Sequence, residues 1–135
     1  MNVKNLLIGT IAAALVFLFG GWLFYGTLFP NIWPVAEGAT PSMMHTTLGC
    51  LFSGAALSFI FSKFAGASSS LKTAAINGGV IGALSTLAMH FYMMGTGNCN
   101  SMTTALTDAG ISFIMYALAG IAIWFTVGKL GGSKD

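Results

Sequence analysis

The chain has 135 residues, of which 56% are hydrophobic and only 6% are charged. A soluble domain carries about 25% charged residues, so this chain cannot cover a water-facing surface, and it is too hydrophobic for intrinsic disorder. Its five lysines, with no arginine, are too few to build a phosphate-binding face, which excludes nucleic acid as a partner. The composition predicts an integral membrane protein whose surroundings are the lipid bilayer.

Four apolar segments follow one another along the chain, each close to the ~20 residues that a helix needs to cross a bilayer. The predicted spans are residues 5–29, 42–62, 73–94 and 101–127. Pro30 ends the first span, and Ser42 is placed to cap the second. The first apolar run is longer than the hydrophobic part of a signal peptide and has no A-x-A cleavage site, so we expect a retained span.

The connections between spans are short, and their charges are unevenly distributed. All five lysines lie before the first span, beside the link between the second and third spans, or after the fourth: Lys4, Lys63, Lys72, Lys129 and Lys134. The other two links carry Glu37 as their one charged side chain. The positive-inside rule therefore predicts that both termini and the middle link face the cytoplasm, as expected in a bacterial inner membrane.

Small and mildly polar residues recur at every fourth position, which keeps them on one helix face. They are Thr46, Cys50, Gly54, Ser58 and Ser62 in the second span, Gly78, Gly82, Thr86 and His90 in the third, and Asp108, Ser112, Tyr116 and Gly120 in the fourth. Small residues let membrane helices approach closely. Gly54, Ser58, Gly78, Gly82 and Gly120 are thus predicted packing residues of an all-α, up-down four-helix bundle.

Aromatic residues cluster near the predicted span ends. Those expected near the outer interface are Trp22, Tyr25, Phe29, Trp33, Phe91 and Tyr92, and those near the inner one are Phe61, Phe64, Trp124 and Phe125. Because amphipathic rings settle at the depth of the lipid headgroups, we expect these residues to act as interfacial anchors.

Three ionisable side chains, His45, His90 and Asp108, lie within the spans. At about 1.5 Å of rise per residue, all three fall at similar depth in the outer half of the bilayer. An intramembrane carboxylate costs free energy, which makes Asp108 a functional candidate. We take the three residues as a candidate site that binds a metal, a haem or a quinone, or relays protons. The alternative is that hydroxyl groups or a histidine hold Asp108, which then only locks the bundle.

Methionines are concentrated near the same membrane face. They are Met43, Met44, Met89, Met93, Met94 and Met102, with Cys99 close by. Thioether, imidazole and thiolate ligands together suit copper(I), with Met89, Met93 and Met94 as secondary ligands beside His90. Two histidines at matched depth also suit a haem. Methionine is equally a filler of apolar gaps, so the absence of any cofactor is the competing interpretation.

The sequence contains no recognisable catalytic motif. HExxH, the P-loop and GxSxG are all absent. Cys50 and Cys99 form no CxxC pair, and their predicted depths differ too much for a disulfide bond. Enzymatic activity is therefore not predicted.

The end of the first span carries a family resemblance. Residues 20–29, GGWLFYGTLF, contain Trp22 followed by Tyr25-Gly26. This segment resembles the first-span signature of small bacterial four-span membrane proteins grouped as a domain of unknown function. The resemblance covers this segment and the four-span plan. It implies a bacterial inner-membrane location and implies no particular activity.

Three functions remain open from the sequence. The chain has almost no mass outside the bilayer, which favours an accessory or stabilising subunit of a membrane complex, or a homo-oligomer. The second hypothesis is the outer-leaflet site built from His45, His90 and Asp108. The third is a minimal transporter, which would act as a dimer because four short helices leave little room for two access states.

Overall fold

The computed structural model describes residues 2–97 and 101–131. Within these residues the main elements are four long helices: α1 (Val3–Leu23), α2 (Met43–Lys63), α3 (Leu71–Gly95) and α4 (Met102–Leu130). A π-helical turn, Phe24–Leu28, continues α1, and a short 3-10 helix, Ala65–Ser68, lies between α2 and α3. All four helices are long and apolar enough to cross a membrane. The predicted all-α, four-span fold class is confirmed.

Each long helix begins at a side chain that caps its first turn. The oxygens of Asn2, Ser42, Ser70 and Ser101 accept backbone N–H groups at 2.9, 3.4, 3.1 and 3.1 Å. Such caps satisfy donors that the first turn leaves without a helical partner. The cap at Ser42 is the one that the sequence predicts. The cap at Ser70 starts α3 at Leu71, two residues ahead of the predicted span.

Consecutive helices run in opposite directions, as side-chain contacts show. The hydroxyl of Ser58, late in α2, donates to the carbonyl oxygen of Leu6, early in α1, at 3.0 Å. Gly120, late in α4, lies against the backbone of Ala74 at the start of α3. We call the end of the bundle where α1 and α3 finish and α2 and α4 begin the far end. The lysines of the described chain all lie at the opposite end: Lys4, Lys63, Lys72 and Lys129.

The helices pack in the order α2, α1, α4, α3. The α1 helix lies between α2 and α4, and α3 packs chiefly on α4. The buried core consists of Ala13, Phe17, Leu57, Phe61, Ala74, Ile111, Met115, Ala119 and Ile123. Large apolar side chains elsewhere point outward from every helix, as expected for surfaces that face lipid. The outer helices α2 and α3 therefore flank the α1–α4 pair.

Glycines lie where helix backbones approach each other most closely. A Cβ atom on Gly54 would lie 2.7 Å from the carbonyl oxygen of Thr10, and one on Gly82 would lie 2.5 Å from Tyr116 Cγ. Gly78 and Gly120 face the backbone of the neighbouring helix in the same way. All five predicted packing residues, which include Ser58, are buried.

The end of α1 departs from the continuous helix that the sequence predicts. The N–H of Phe29 donates to the carbonyl oxygen of Phe24 at 2.6 Å, a bond that spans five residues instead of four. Pro30 follows at once and cannot continue the helix. A π-helical turn contains more residues than an α-helical one, so it changes the direction in which its side chains point. Tyr25 lies in this turn.

Candidate functional site

Asp108 is the centre of a polar cluster that joins three helices at the far end. The residue lies in the second turn of α4 and is only 1% exposed. Its Oδ2 atom lies 2.7 Å from Nε2 of His90, which is on α3. Its Oδ1 atom accepts a hydrogen bond of 2.5 Å from the Tyr25 hydroxyl, in the π-helical turn after α1. Both carboxylate oxygens are therefore held, each by a different helix.

The connection between α1 and α2 covers this cluster. Trp33 belongs to that connection, and its ring lies over the ring of His90, with the centroids 5.2 Å apart and the planes 30° from parallel. His90 is fully buried. We refer to Tyr25, Trp33, His90 and Asp108 together as the Asp108 cluster.

A second polar contact lies one turn further into the bundle. The Thr86 hydroxyl of α3 donates to the Ser112 hydroxyl of α4 at 2.7 Å. Within the described residues, every buried side-chain nitrogen and oxygen has a hydrogen-bond partner. Thr86 and Ser112 lie on the same helix faces as His90 and Asp108, so the polar side of the α3–α4 interface extends over more than one turn.

A groove of about 440 Å³ adjoins the Asp108 cluster and is lined by all four helices. Its polar or hydroxyl-bearing lining residues are Tyr25, Thr46, Ser53, Ser85, Thr86, Asp108, Ser112 and Tyr116. Phe17, Trp22, Met89 and Met115 supply much of the apolar lining. Thr46, Gly49 and Ser85 are exposed, so the groove opens to the surroundings of the bundle between α2 and α3. Asp108 thus combines burial with a position on the wall of a cavity.

His45 does not join His90 and Asp108. It is exposed at the start of α2, where its Nδ1 atom lies 2.8 Å from the Ser42 hydroxyl. Residues 2–97 and 101–131 contain no group of three or more His, Cys, Asp or Glu side chains placed to hold a metal ion. The expected three-ligand set is therefore not assembled here. Nε2 of His90, which a haem between the two histidines could use as an axial ligand, lies 2.7 Å from Asp108 Oδ2, and haem binding stays a prediction.

The methionines of the predicted copper site lie in different surroundings. Met43 and Met44 are 76% and 64% exposed at the start of α2. Met89 lines the groove, while Met93 and Met94 are half-buried further along α3. Cys99, whose thiol is expected near the predicted copper site, lies outside the described residues. Copper binding stays a prediction.

Two members of the Asp108 cluster are assigned a different role by the sequence. Tyr25 and Trp33 are expected to be interfacial anchors, but Tyr25 bonds to Asp108 and Trp33 stacks on His90. These contacts within the bundle come in addition to the anchoring interpretation, which stays a prediction for both residues. One signal was available: Tyr25 is a hydroxyl-bearing residue near the outer end of a charge-free span, about one turn shallower than Asp108 by its position in the predicted span. The π-helical turn that aims Tyr25 inward has no comparable signal.

The arrangement defines what the cluster can do chemically. When the carboxyl group is ionised, the Tyr25 hydroxyl and His90 Nε2–H both donate to it, and each of its oxygens keeps further lone pairs. The cluster can hold a proton, pass it between oxygen and nitrogen, or accept a hydrogen bond from a molecule in the groove. A permanent positive charge is not available locally, because the described lysines lie at the opposite end of the bundle.

The fold and the site define a small multi-pass membrane protein with a buried Tyr–Asp–His cluster beside a groove. No family model, curated protein or solved structure matches the chain. The function is therefore argued from the geometry of the site.

Proposed function

We propose that the protein binds a small amphipathic molecule of the membrane in the groove, with the polar part of that molecule against Asp108. The observation that carries this proposal is a carboxylate that is 1% exposed yet lines a cavity of about 440 Å³. Binding sites for small molecules have volumes of about 300–1,000 Å³, mostly apolar walls and a few convergent polar groups. The groove has each of these properties.

A purely structural role explains less of the geometry. A carboxylate that only locks helices together needs partners, and Tyr25 and His90 supply them. Such a lock needs no cavity beside it, and it needs no hydroxyl groups on the facing helix α2. Thr46 and Ser53 nevertheless face the same groove as Asp108. Polar groups from opposite walls of one cavity are what a bound molecule with a polar group requires.

The chemistry of the cluster favours some ligands over others. A quinone presents carbonyl oxygens, which need hydrogen-bond donors, but the Tyr25 hydroxyl already donates to Asp108. A metal ion would find only His90 and Asp108 close together among the described nitrogen, thiolate and carboxylate ligands. A molecule that donates hydrogen bonds to a carboxylate suits the site better than either.

The site is proposed to lie in the outer half of a bacterial inner membrane. The charge distribution supports this, because lysines stand at the end opposite the Asp108 cluster, while the α1–α2 connection carries Glu37. Under the positive-inside rule the lysine-bearing end faces the cytoplasm. The likeness of residues 20–29 to small bacterial four-span proteins supports the same location.

The proposal is tested by filling the groove. Gly49 lines it and has open space around its Cβ position, so Gly49→Phe adds a ring at the wall of the groove without a clash at Cβ. Gly110→Phe is the matched control, since Gly110 also has open space but does not line the groove. Protein is extracted in polymer-bounded discs of native membrane, and bound small molecules are identified by mass spectrometry. We expect a species enriched over bulk lipid with wild type and Gly110→Phe and depleted with Gly49→Phe. The same set of bound small molecules in all three proteins would contradict the proposal.

An accessory subunit or a homo-oligomer is the second candidate. It is favoured by glycines on outward-facing surfaces, such as Gly110 and Gly128 of α4, where nothing lies near the Cβ position. Small residues on a lipid-facing surface allow another helix to approach closely. Subunit counting by native mass spectrometry in the same discs tests this, and a strictly monomeric protein without a stoichiometric partner would contradict it. The transporter hypothesis requires a dimer in the same measurement.

A further inference from the structure

The Asp108 cluster contains one acidic group and no permanent cation. Asp108 meets Tyr25 from α1 and His90 from α3. The other titratable side chains that line the groove are Cys50 of α2 and Tyr116 of α4, neither of which can supply a positive charge. Within the described chain, His90 is therefore the one group in contact with Asp108 that can neutralise it, and it does so only by carrying a proton.

A charge that is buried away from water without an opposite charge is strongly disfavoured. Hydrogen bonds from Tyr25 and His90 reduce this penalty for a lone carboxylate but do not remove the net charge. A cation bound in the groove beside Asp108 supplies the opposite charge.

Resting on the proposed groove function, we propose that the ligand is an amphipathic organic cation, such as a protonated amine. The groove combines apolar rings for the body of such a molecule, Phe17 and Trp22, with the Asp108 carboxylate for its ammonium group. Hydrogen bonds between an ammonium group and a carboxylate are charge-assisted and stronger than those between neutral groups.

The contact that this proposal requires is a hydrogen bond between two charged groups. The ligand enters as R–NH₃⁺, and its ammonium group donates to lone pairs of Asp108 that Tyr25 and His90 leave free. No covalent bond forms or breaks, and nothing is oxidised or reduced.

Two probes of the same shape test the inference. They are 2-(1-naphthyl)ethylamine, which is a cation at neutral pH, and 2-(1-naphthyl)ethanol, which is neutral. Binding to the full-length protein in detergent is measured by titration calorimetry, with detergent alone as the blank. We expect the amine to bind at least about tenfold more tightly than the alcohol, because only the amine carries the charge.

The variant Asp108→Asn gives a second, independent expectation. It removes the negative charge, so the preference for the amine should be lost, while the alcohol still binds. The wild-type comparison needs no variant, so the inference stays testable even if Asp108→Asn does not fold.

The outcomes separate this inference from the groove function. Equal affinity for amine and alcohol, both weakened in Gly49→Phe and unchanged in Gly110→Phe, overturns the cation inference and leaves the groove function standing. Preferential binding of the amine that persists in Asp108→Asn overturns the assignment of the cation to Asp108. Binding of neither probe to wild type overturns the cation inference, while the native-disc measurement decides the groove function separately.

Discussion

Asp108 accepts one hydrogen bond at each carboxylate oxygen, so its removal affects two neighbours at once. In Asp108→Leu the buried His90 Nε2 and the half-buried Tyr25 hydroxyl lose this partner, which costs up to about 1–3 kcal/mol for each group. Asp108→Asn keeps the shape and offers an oxygen and an amide nitrogen to the same two groups. We expect Asp108→Leu to lower the free energy of unfolding by roughly 2–5 kcal/mol and Asp108→Asn by about 1 kcal/mol. Titration with denaturing detergent measures both values, and equal losses in the two variants would count against a hydrogen-bonded role.

Tyr25 tests the same cluster from the side of α1. Tyr25→Phe removes only the hydroxyl that donates to Asp108, and we expect the free energy of unfolding to fall by about 1.5–3 kcal/mol, as for a hydrogen bond to a charged group. Tyr92→Phe is the matched control, because Tyr92 is 75% exposed on α3, and its change should be within about 0.5 kcal/mol. Similar values for the two variants would show that the Tyr25 contact adds nothing to stability.

At the scale of the elements, a substitution at Gly82 tests how closely α3 and α4 must pack. A Cβ atom on Gly82 would lie 2.5 Å from Tyr116 Cγ, so a leucine there must push the helices apart. We expect Gly82→Leu to destabilise the bundle by about 3 kcal/mol, at the upper end of overpacking costs. Leu87→Ala, at a half-buried position of the same helix, should cost less.

Gly110→Leu is the control for the loss of a glycine, because nothing lies near its Cβ position. Thermal unfolding in detergent compares the three variants. If Gly82→Leu unfolds at the same temperature as Gly110→Leu, the helices do not depend on close approach at Gly82.

At the scale of the whole molecule, the distribution of lysines predicts how the protein is oriented in the membrane. In a background without Cys50 and Cys99, Ser69→Cys in the α2–α3 connection should react with an impermeant thiol reagent only from the cytoplasmic side. Thr40→Cys, in the connection at the far end, should react only from outside. In the same background, Ser133→Cys should label from the cytoplasm, and in a variant that keeps Cys99 as its one cysteine we expect labelling from outside; these two positions lie outside the described residues. Labelling of Ser69→Cys from outside intact cells would reverse the orientation.

Much of the fold was predictable because a bilayer leaves few alternatives. Backbone groups in the hydrocarbon core must be paired within the chain, so an apolar run of sufficient length has to be a helix. Four such runs with short links predict the antiparallel order, and residues such as Gly54, Gly78 and Gly82 indicate where helices approach. The π-helical turn at Phe24–Leu28 and the 3-10 helix at Ala65–Ser68 were not predicted, because they depend on local packing that has no periodic signal.

The candidate site was only partly predictable. The sequence indicates Asp108 and His90, because placing a carboxylate or an imidazole within an apolar span costs free energy. It also proposes His45 as a third member, because depth along a helix says nothing about which way a side chain points around it. In the structure His45 bonds to Ser42 on the exposed start of α2, and Tyr25 takes the third place at Asp108.

The sequence by itself therefore determined the membrane class, the number of helices, the distribution of lysines and the two most costly residues of the site. These properties depend on composition and on distance along the chain, which a linear sequence contains. Only the tertiary structure decided that α1 and α4 form the centre, that α2 and α3 flank a groove, and that Tyr25 and Trp33 turn toward His90 and Asp108. Those outcomes depend on the rotation of each helix about its own axis and on the order of packing. Small residues on several faces permit more than one such arrangement, and only the summed contacts of the whole bundle select one of them.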